Sequence, residues 1–117
     1  MIFVIDDDVI MAKCVARACK RKGEVRIFSN AIEAMNKIIE GELPDLIFLD
    51  ILLNGPNGFT FLNEIMTYSD TAKIPIVVVS SLDFTEEKLQ DYNVVGVLCK
   101  EKMVPQEIYN YVEKYVR

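Results

Sequence analysis

Five short apolar segments, separated by amphipathic stretches, constrain the fold of this chain more than any other feature. Each has the length of a β-strand and is nearly continuous in apolar residues; they are Ile2–Ile5, Val25–Phe28, Leu46–Leu49, Ile76–Val79 and Val94–Leu98. Apolar runs of this kind are typical of strands that are covered on both faces. We therefore expect five strands in the interior of the protein.

The stretches between these segments have the spacing and end signals of helices. The first runs from Val9 to Lys22 and ends at Gly23, and the second is capped by Asn30 and ends at Gly41. A third follows Gly58, a short fourth begins near Asp83 or Thr85 and ends before Asn93, and the last begins at Pro105. The side chains expected to face inward are Ala12, Val15, Ala16, Cys19, Ala31, Ala34, Met35, Ile38, Phe61, Leu62, Ile65, Met66, Ile108, Tyr111, Val112 and Tyr115.

Strands that alternate with helices predict an α/β protein with a parallel sheet and helices on both of its faces. A length of 117 residues suits one domain, and the 51% hydrophobic content is enough for a single core. In such doubly wound folds, ligands bind at the carboxyl ends of the strands. The residues that follow each strand are therefore the first place to look for a site.

Charge and composition exclude several classes of function. The net charge is −5 and no basic stripe is present, so we expect no direct binding to nucleic acid or to an anionic membrane. The chain has no histidine, which removes His-based catalysis and most zinc chemistry. Its three cysteines lack CxxC spacing and are interpreted as packing residues in a reducing compartment. With no signal peptide at the N-terminus, a cytoplasmic location is expected.

Polar and charged side chains are concentrated at the strand ends. Strand one ends in Asp6-Asp7-Asp8, strand three in Asp50, strand four in Ser80 and strand five just before Lys100. Clustered carboxylates repel one another unless a cation is present, and a few carboxylates with water and phosphate oxygens suit Mg²⁺. A carboxylate can also attack phosphorus to give an acyl phosphate, whose oxygens a hydroxyl and an ammonium group can bind.

These motifs together resemble the receiver domain of two-component response regulators. The segment Ile5–Asp8 resembles the acidic motif after the first strand, and Leu46–Asp50 resembles the phosphoacceptor strand, with Gly58 at the usual spacing. Pro75–Ser80 and Gly96–Lys100 resemble the fourth and fifth strands with their terminal Ser and Lys. The similarity covers essentially the whole chain, so one receiver domain is expected over residues 1–117.

The resemblance implies a fold, a mechanism and a set of partners. The fold would be a flavodoxin-like (βα)5 three-layer sandwich with strand order 2-1-3-4-5. Asp50 would accept a phosphoryl group from a sensor histidine kinase or histidine phosphotransfer protein, and Ser80 and Lys100 would bind its oxygens. Mg²⁺ would be held by Asp7, Asp50 and the backbone carbonyl of Leu52, with Asp6 acting through a metal-bound water.

A receiver of this kind assists its own phosphorylation and is not a turnover enzyme. The resemblance further implies a downstream protein target, or a self-dimer, bound through the last two helices and strand five. Two alternatives stay open for the chain itself: a single-domain regulator, or one domain of a longer protein.

The sequence departs from the family pattern at three places. Glu101 follows Lys100 where the family commonly has Pro, Val97 stands where a switch aromatic is often found, and Asn54 replaces a Pro that is displaced to Pro56. None of these changes removes a chemical group from the site. Leu52 and Leu82 occupy positions that tune acyl-phosphate lifetime in the family, and because neither can orient water, slow autodephosphorylation is expected.

The same residues also have simpler interpretations. Asp8 is expected to cap the first helix, Asp50 could be a turn residue, Ser80 could merely end a strand and Lys100 could be a solvated surface lysine. On the last helix, Tyr109, Glu113 and Val116 are interpreted as solvated positions, with a partner surface as the alternative.

Three other functions compete with a phosphorylated receiver. A phosphohydrolase of the haloacid-dehalogenase type would use Asp6 and Asp8, but Ile10 misses its motif and no acidic metal motif follows Lys100. A receiver-like scaffold that is never phosphorylated is disfavoured by the complete acidic set. A flavin binder is disfavoured because three aspartates would repel the flavin phosphate.

Overall fold

The structure is a computed structural model that describes residues 1–51, 58–81, 89 and 91–116. Its strands are β1 (Ile2–Ile5), β2 (Val25–Phe28), β3 (Leu46–Asp50), β4 (Ile76–Ser80) and β5 (Val94–Cys99). Its α-helices are α1 (Val9–Cys19), α2 (Ala31–Ile39), α3 (Gly58–Thr67) and α4 (Pro105–Tyr115), and a 3-10 turn over Lys20–Lys22 extends α1. The short helix predicted near Asp83 or Thr85 lies outside the described residues.

All five strands join one parallel sheet in the order β2-β1-β3-β4-β5. This confirms the doubly wound α/β fold and the strand order. Every residue of β1, β3 and β4 is buried, as their continuous apolar sequences predicted. One irregularity interrupts the sheet: Val94 pairs with Ile76 but Gly96 pairs with Val77, so Val95 is a bulge in the edge strand.

The sheet separates two hydrophobic clusters, one on each face. The first cluster is covered by α2 and α3 and contains Phe3, Ile5, Ile47 and Leu49 from the central strands. The second is covered by α1 and α4 and contains Ile2, Val4, Leu46 and Phe48 from the same strands. Because side chains alternate along a strand, each central strand contributes to both clusters.

The predicted helix ends are confirmed by hydrogen bonds and backbone angles. The side chains of Asp8 and Asn30 accept hydrogen bonds from the amides of Met11 (3.1 Å) and Glu33 (2.9 Å) at the starts of α1 and α2. Gly23 and Gly41 have φ angles of +140° and +103°, a region that favours glycine and ends the preceding helical segment.

Three expectations about side-chain burial are wrong. Met66 is 38% exposed because it lies at the edge of the apolar stripe of α3, whose centre is formed by Phe61, Leu62 and Ile65. Cys14 is exposed because it lies outside the face of α1 that carries Ala12, Val15 and Cys19. Val116 is 3% exposed because the chain leaves α4 in an extended conformation and returns this side chain to the second cluster.

The surface suggested around the end of the last helix is therefore not one exposed face. Val116 belongs to the core, and Tyr109 is partly buried against the second cluster. Glu113 is exposed and forms an ion pair with Lys22, at 3.2 Å, across the gap between α4 and the end of α1.

Candidate functional site

The sheet register brings the predicted site residues to one edge. Ile5 is paired with Leu49, which places Asp6 beside Asp50 at the ends of β1 and β3. Ser80 is paired with Cys99, and the amide of Lys100 donates a hydrogen bond to the Ser80 carbonyl at 2.9 Å. Parallel strands end at the same edge of a sheet, so residues distant in sequence become neighbours there.

Lys100 connects two buried carboxylates at this edge. Its Nζ lies 3.0 Å from Asp6 Oδ2 and 3.1 Å from Asp50 Oδ2. The side chains of Lys100, Asp6 and Asp50 are 14%, 4% and 5% exposed, so these ion pairs are shielded from solvent. The alternative of a solvated surface lysine at position 100 is thereby excluded.

Burial and charge shift the proton affinities of these groups. Burial raises the pKa of Asp6, although the Asp8 amide (2.9 Å from Asp6 Oδ1) and the Lys100 ammonium both act to lower it. Burial alone would lower the pKa of Lys100, but its hydrogen bonds and attraction to Asp6 and Asp50 outweigh burial and raise it. Lys100 is therefore held in its charged form between the two carboxylates.

The residues present fit a hard divalent cation. Carboxylate oxygens of Asp6, Asp7 and Asp50 all lie within 4.8 Å of one another. Mg²⁺ prefers a few carboxylate oxygens completed by water and phosphate oxygens, which this donor set can supply. The spacing therefore fits one ion held directly by Asp7 and Asp50, with Asp6 close enough to act through a metal-bound water. Leu52, whose carbonyl was predicted as a further ligand, lies outside the described residues.

Ser80 and Gly58 contribute to the site in ways that the sequence only partly indicated. Ser80 is completely buried at the end of β4, beside Lys100. At Gly58, an added Cβ would lie 2.6 Å from Ile51 Cα and 3.1 Å from the Asp50 carbonyl oxygen. The start of α3 thus contacts the backbone that carries Asp50, a contact that only glycine allows; the sequence signal was its spacing from Asp50.

The departures from the family pattern have limited consequences in the described part of the chain. Glu101 is exposed, and the described residues contain no cis peptide bond, so Lys100 reaches the site through a trans backbone. Val97 is partly buried against the first cluster. Asn54 and Pro56 lie outside the described residues.

Fold and site together define a doubly wound α/β domain with an acidic, lysine-bridged edge, and comparisons with known proteins identify its family. The family model described as "Response regulator receiver domain" matches residues 2–113. A putative response regulator from Chloroflexus aurantiacus has a similar structure, with a TM-score of 0.84, 26% identity, and coverage of 97% of this chain and 94% of that one. The chain belongs to the response regulator receiver domain family.

Curated relatives carry the same segment within longer proteins. Response regulator PleD from Caulobacter vibrioides is 30% identical over 91 residues, which are 76% of this chain and 20% of that protein. A protein-glutamate methylesterase/protein-glutamine glutaminase from Geobacter sulfurreducens is 34% identical over 83 residues, 68% of this chain and 21% of that protein. The chain spans about half or less of the length of the curated relatives it matches first. Within the described residues, no helix has the length and apolar character needed to cross a membrane.

Proposed function

We propose that residues 1–117 form one receiver domain that accepts a phosphoryl group on Asp50 from a phosphohistidine of a sensor kinase or phosphotransfer protein. The observation that carries this proposal is the ion-paired set at the edge of the sheet. Lys100 contacts Asp50 and Asp6, and a carboxylate oxygen of Asp7 lies within 4.8 Å of oxygens of both. If Asp50 were only a turn residue, or Lys100 only a solvated surface lysine, neither side chain would need these contacts.

In the proposed reaction, one Asp50 oxygen forms a bond to phosphorus while the phosphorus–nitrogen bond of the phosphohistidine breaks. The products are an acyl phosphate on Asp50 and a free imidazole. Lys100 then moves its ion pair from the Asp50 oxygen to a phosphoryl oxygen, and the Ser80 hydroxyl donates to another. Since Ser80 is completely buried, this contact requires the edge around β4 to open slightly.

Asp6, Asp7 and Asp50 would hold Mg²⁺, together with the Leu52 carbonyl. When bound, the ion neutralises charge on the carboxylates and on the incoming phosphoryl group. Lys100 alone supplies one positive charge against three carboxylates, which is why we propose that the transfer depends on the ion.

We further propose that the domain is a switch rather than a turnover enzyme and works in the cytoplasm. Phosphorylation would change binding to a downstream protein, or to a second copy, through β5 and the last two helices. We also propose that autodephosphorylation is slow because Leu52 and Leu82, both outside the described residues, are apolar. Replacing either with a polar residue should speed phosphate loss, and an unchanged decay rate would contradict the explanation.

The decisive experiment is intact-protein mass spectrometry after incubation with acetyl phosphate and Mg²⁺. The wild type should gain one phosphoryl group that hydroxylamine removes, and both Asp50→Asn and excess EDTA should prevent the gain. Asp8→Asn is the matched control, since it removes a neighbouring carboxylate while asparagine still caps α1. Full labelling of Asp50→Asn would refute the acceptor assignment, and an unlabelled wild type would favour the scaffold.

A further inference from the structure

A groove between α2 and α3 lies on the surface of the first cluster and has no role in the phosphorylation site. It consists of two adjoining depressions of about 240 and 250 Å³, and Met35 and Ile39 line both. Along its rim, Ile32, Ile39 and Tyr68 are 54%, 68% and 53% exposed. Large apolar side chains grouped in a depression of this kind are typical of a binding surface.

The spacing of the exposed isoleucines along the groove suits a helix. Ile32 and Ile39 are seven residues apart on α2, so two helical turns, about 10.5 Å, separate them along one side. A partner helix with apolar residues at i, i+3 or i+4, and i+7 presents side chains at the same spacing. Such a helix would lie against α2 and α3 and extend the helical layer on this face of the sheet.

The acidic charge of the groove indicates which kind of helix would bind there. Among the described residues that line it, the charged ones are Glu64 and Asp70, and both are acidic. The nearby Lys37 forms an ion pair with Glu40 instead, with 3.3 Å between Lys37 Nζ and Glu40 Oε2. A two-fold dimer through this groove would bring the acidic groups of two chains of net charge −5 together. A helix with basic residues beside its apolar stripe would complement them.

We propose that the groove between α2 and α3 is a docking site for an amphipathic helix of another protein, with lysine or arginine residues flanking its apolar stripe. The apolar stripe would cover Ile32, Met35 and Ile39, and the basic residues would lie near Glu64 and Asp70. The site requires no phosphoryl group, so it can be tested on the unmodified protein.

The test is selection from a displayed library of amphipathic helices of about 14 residues with randomised flanking positions. The library is sorted on the wild type and counter-sorted on the Ile32→Ser/Ile39→Ser double variant. Both isoleucines are more than half exposed, so this variant should fold, which circular dichroism checks. Enriched sequences should be basic at the flanks and bind the double variant about tenfold or more weakly.

Two further variants make the test specific. Glu64→Lys/Asp70→Lys should weaken the selected basic helices by about tenfold, whereas Ile10→Ser, which removes an isoleucine exposed on α1, should leave binding unchanged. No enrichment, enrichment of neutral or acidic flanks, or binding that ignores the groove substitutions would overturn the proposal. Wild-type dimerisation that Ile32→Ser/Ile39→Ser abolishes would also overturn it, because a second copy would then be the occupant.

Discussion

At the scale of single residues, the arrangement of Lys100 links stability to the proposed chemistry. Two carboxylates that are almost completely buried share one ammonium group, and neither has access to bulk water to disperse its charge. Burying such groups is unfavourable, and removing one partner of a buried ion pair is more unfavourable still, because a charge is left without compensation. The group that would bind the phosphoryl oxygens therefore also holds the unphosphorylated site together.

Replacing Lys100 with Met should lower the free energy of unfolding by about 3 kcal/mol in the absence of divalent ions. Adding Mg²⁺ should reduce this difference, because a cation bound by Asp6, Asp7 and Asp50 compensates the same carboxylates. Urea unfolding with EDTA and with saturating Mg²⁺ measures both effects. Lys37→Met is the control, since that exposed pair should contribute within about 0.5 kcal/mol. Equal stability of Lys100→Met and wild type in EDTA would contradict this account.

The cysteines offer a second test at this scale. Burial raises the pKa of the Cys19 thiol to about 12, whereas Cys14 is exposed. At pH 8 only about one Cys19 in ten thousand is then ionised, so a thiol reagent should modify Cys14 rapidly and Cys19 only through unfolding. Because the folded protein binds this proton more tightly, Cys19 contributes stability below about pH 9 that is lost as the pH rises toward 12.

Peptide mapping after timed labelling with a maleimide at pH 8 reports both rates. A Cys19→Ala variant should have a shallower loss of stability above pH 9 than the wild type. Labelling of native Cys19 as fast as Cys14 would show that this side chain is not buried as described.

At the scale of elements, the sequence predicted the helix starts, because these depend on interactions between residues close in sequence. Asp8, Asn30 and Pro105 begin helices through capping or a fixed φ, and those interactions span only a few residues. Asp6, Asp50 and Lys100 could be predicted as neighbours because each lies at the end of a strand or directly after it, and all parallel strands end at one edge. The ion pairs of Lys100 with both carboxylates could not be predicted from the sequence, because they depend on side-chain conformations at the ends of three strands.

The features that the sequence did not predict are those that depend on tertiary contacts. Val116 continues the pattern of α4 in sequence, but its burial follows from the path of the chain after the helix ends. The bulge at Val95 was not predicted because it is a property of the pairing with β4, although Gly96 beside it is a sequence signal for a bulge within a strand. Gly58 was recognised by its spacing, while its contact with Ile51 requires the packed position of α3.

That contact gives a prediction of opposite sign to helix propensity. Glycine to alanine at an open helical position stabilises by up to about 1 kcal/mol. At Gly58 the new methyl group would meet the Ile51 backbone, which cannot move without shifting Asp50, so we expect Gly58→Ala to destabilise by about 1–3 kcal/mol. It should also slow the labelling of Asp50 by acetyl phosphate. Thermal unfolding and phosphorylation rates measure the two effects, and a more stable Gly58→Ala variant would contradict the close contact.

At the scale of the whole molecule, the sheet joins two clusters, and none of the four described helices belongs to both. Each central strand sends alternate side chains to opposite sides: Phe48 to the second cluster, Ile47 and Leu49 to the first. Loss of the helices on one face would expose that face of the sheet, and the strands that then lose their packing are the same strands that carry the other cluster. The molecule should therefore unfold as one cooperative unit although its apolar interior is divided.

This cooperativity can be measured with one reporter in each cluster. Tyr92 packs against the first cluster, so a Tyr92→Trp substitution gives a fluorescence signal there, and the buried thiol of Cys19 reports on the second through pulsed maleimide labelling. We expect the two urea unfolding curves to have the same midpoint and the same slope, since both reporters respond to loss of the same sheet. Leu49→Ala, which removes side-chain volume only from the first cluster, should then move both midpoints together, by an amount equivalent to about 2–5 kcal/mol. If Leu49→Ala shifted the tryptophan transition while Cys19 stayed protected, the two faces would be separate folding units, and a partner bound to the groove between α2 and α3 could not stabilise the face that carries α1 and α4.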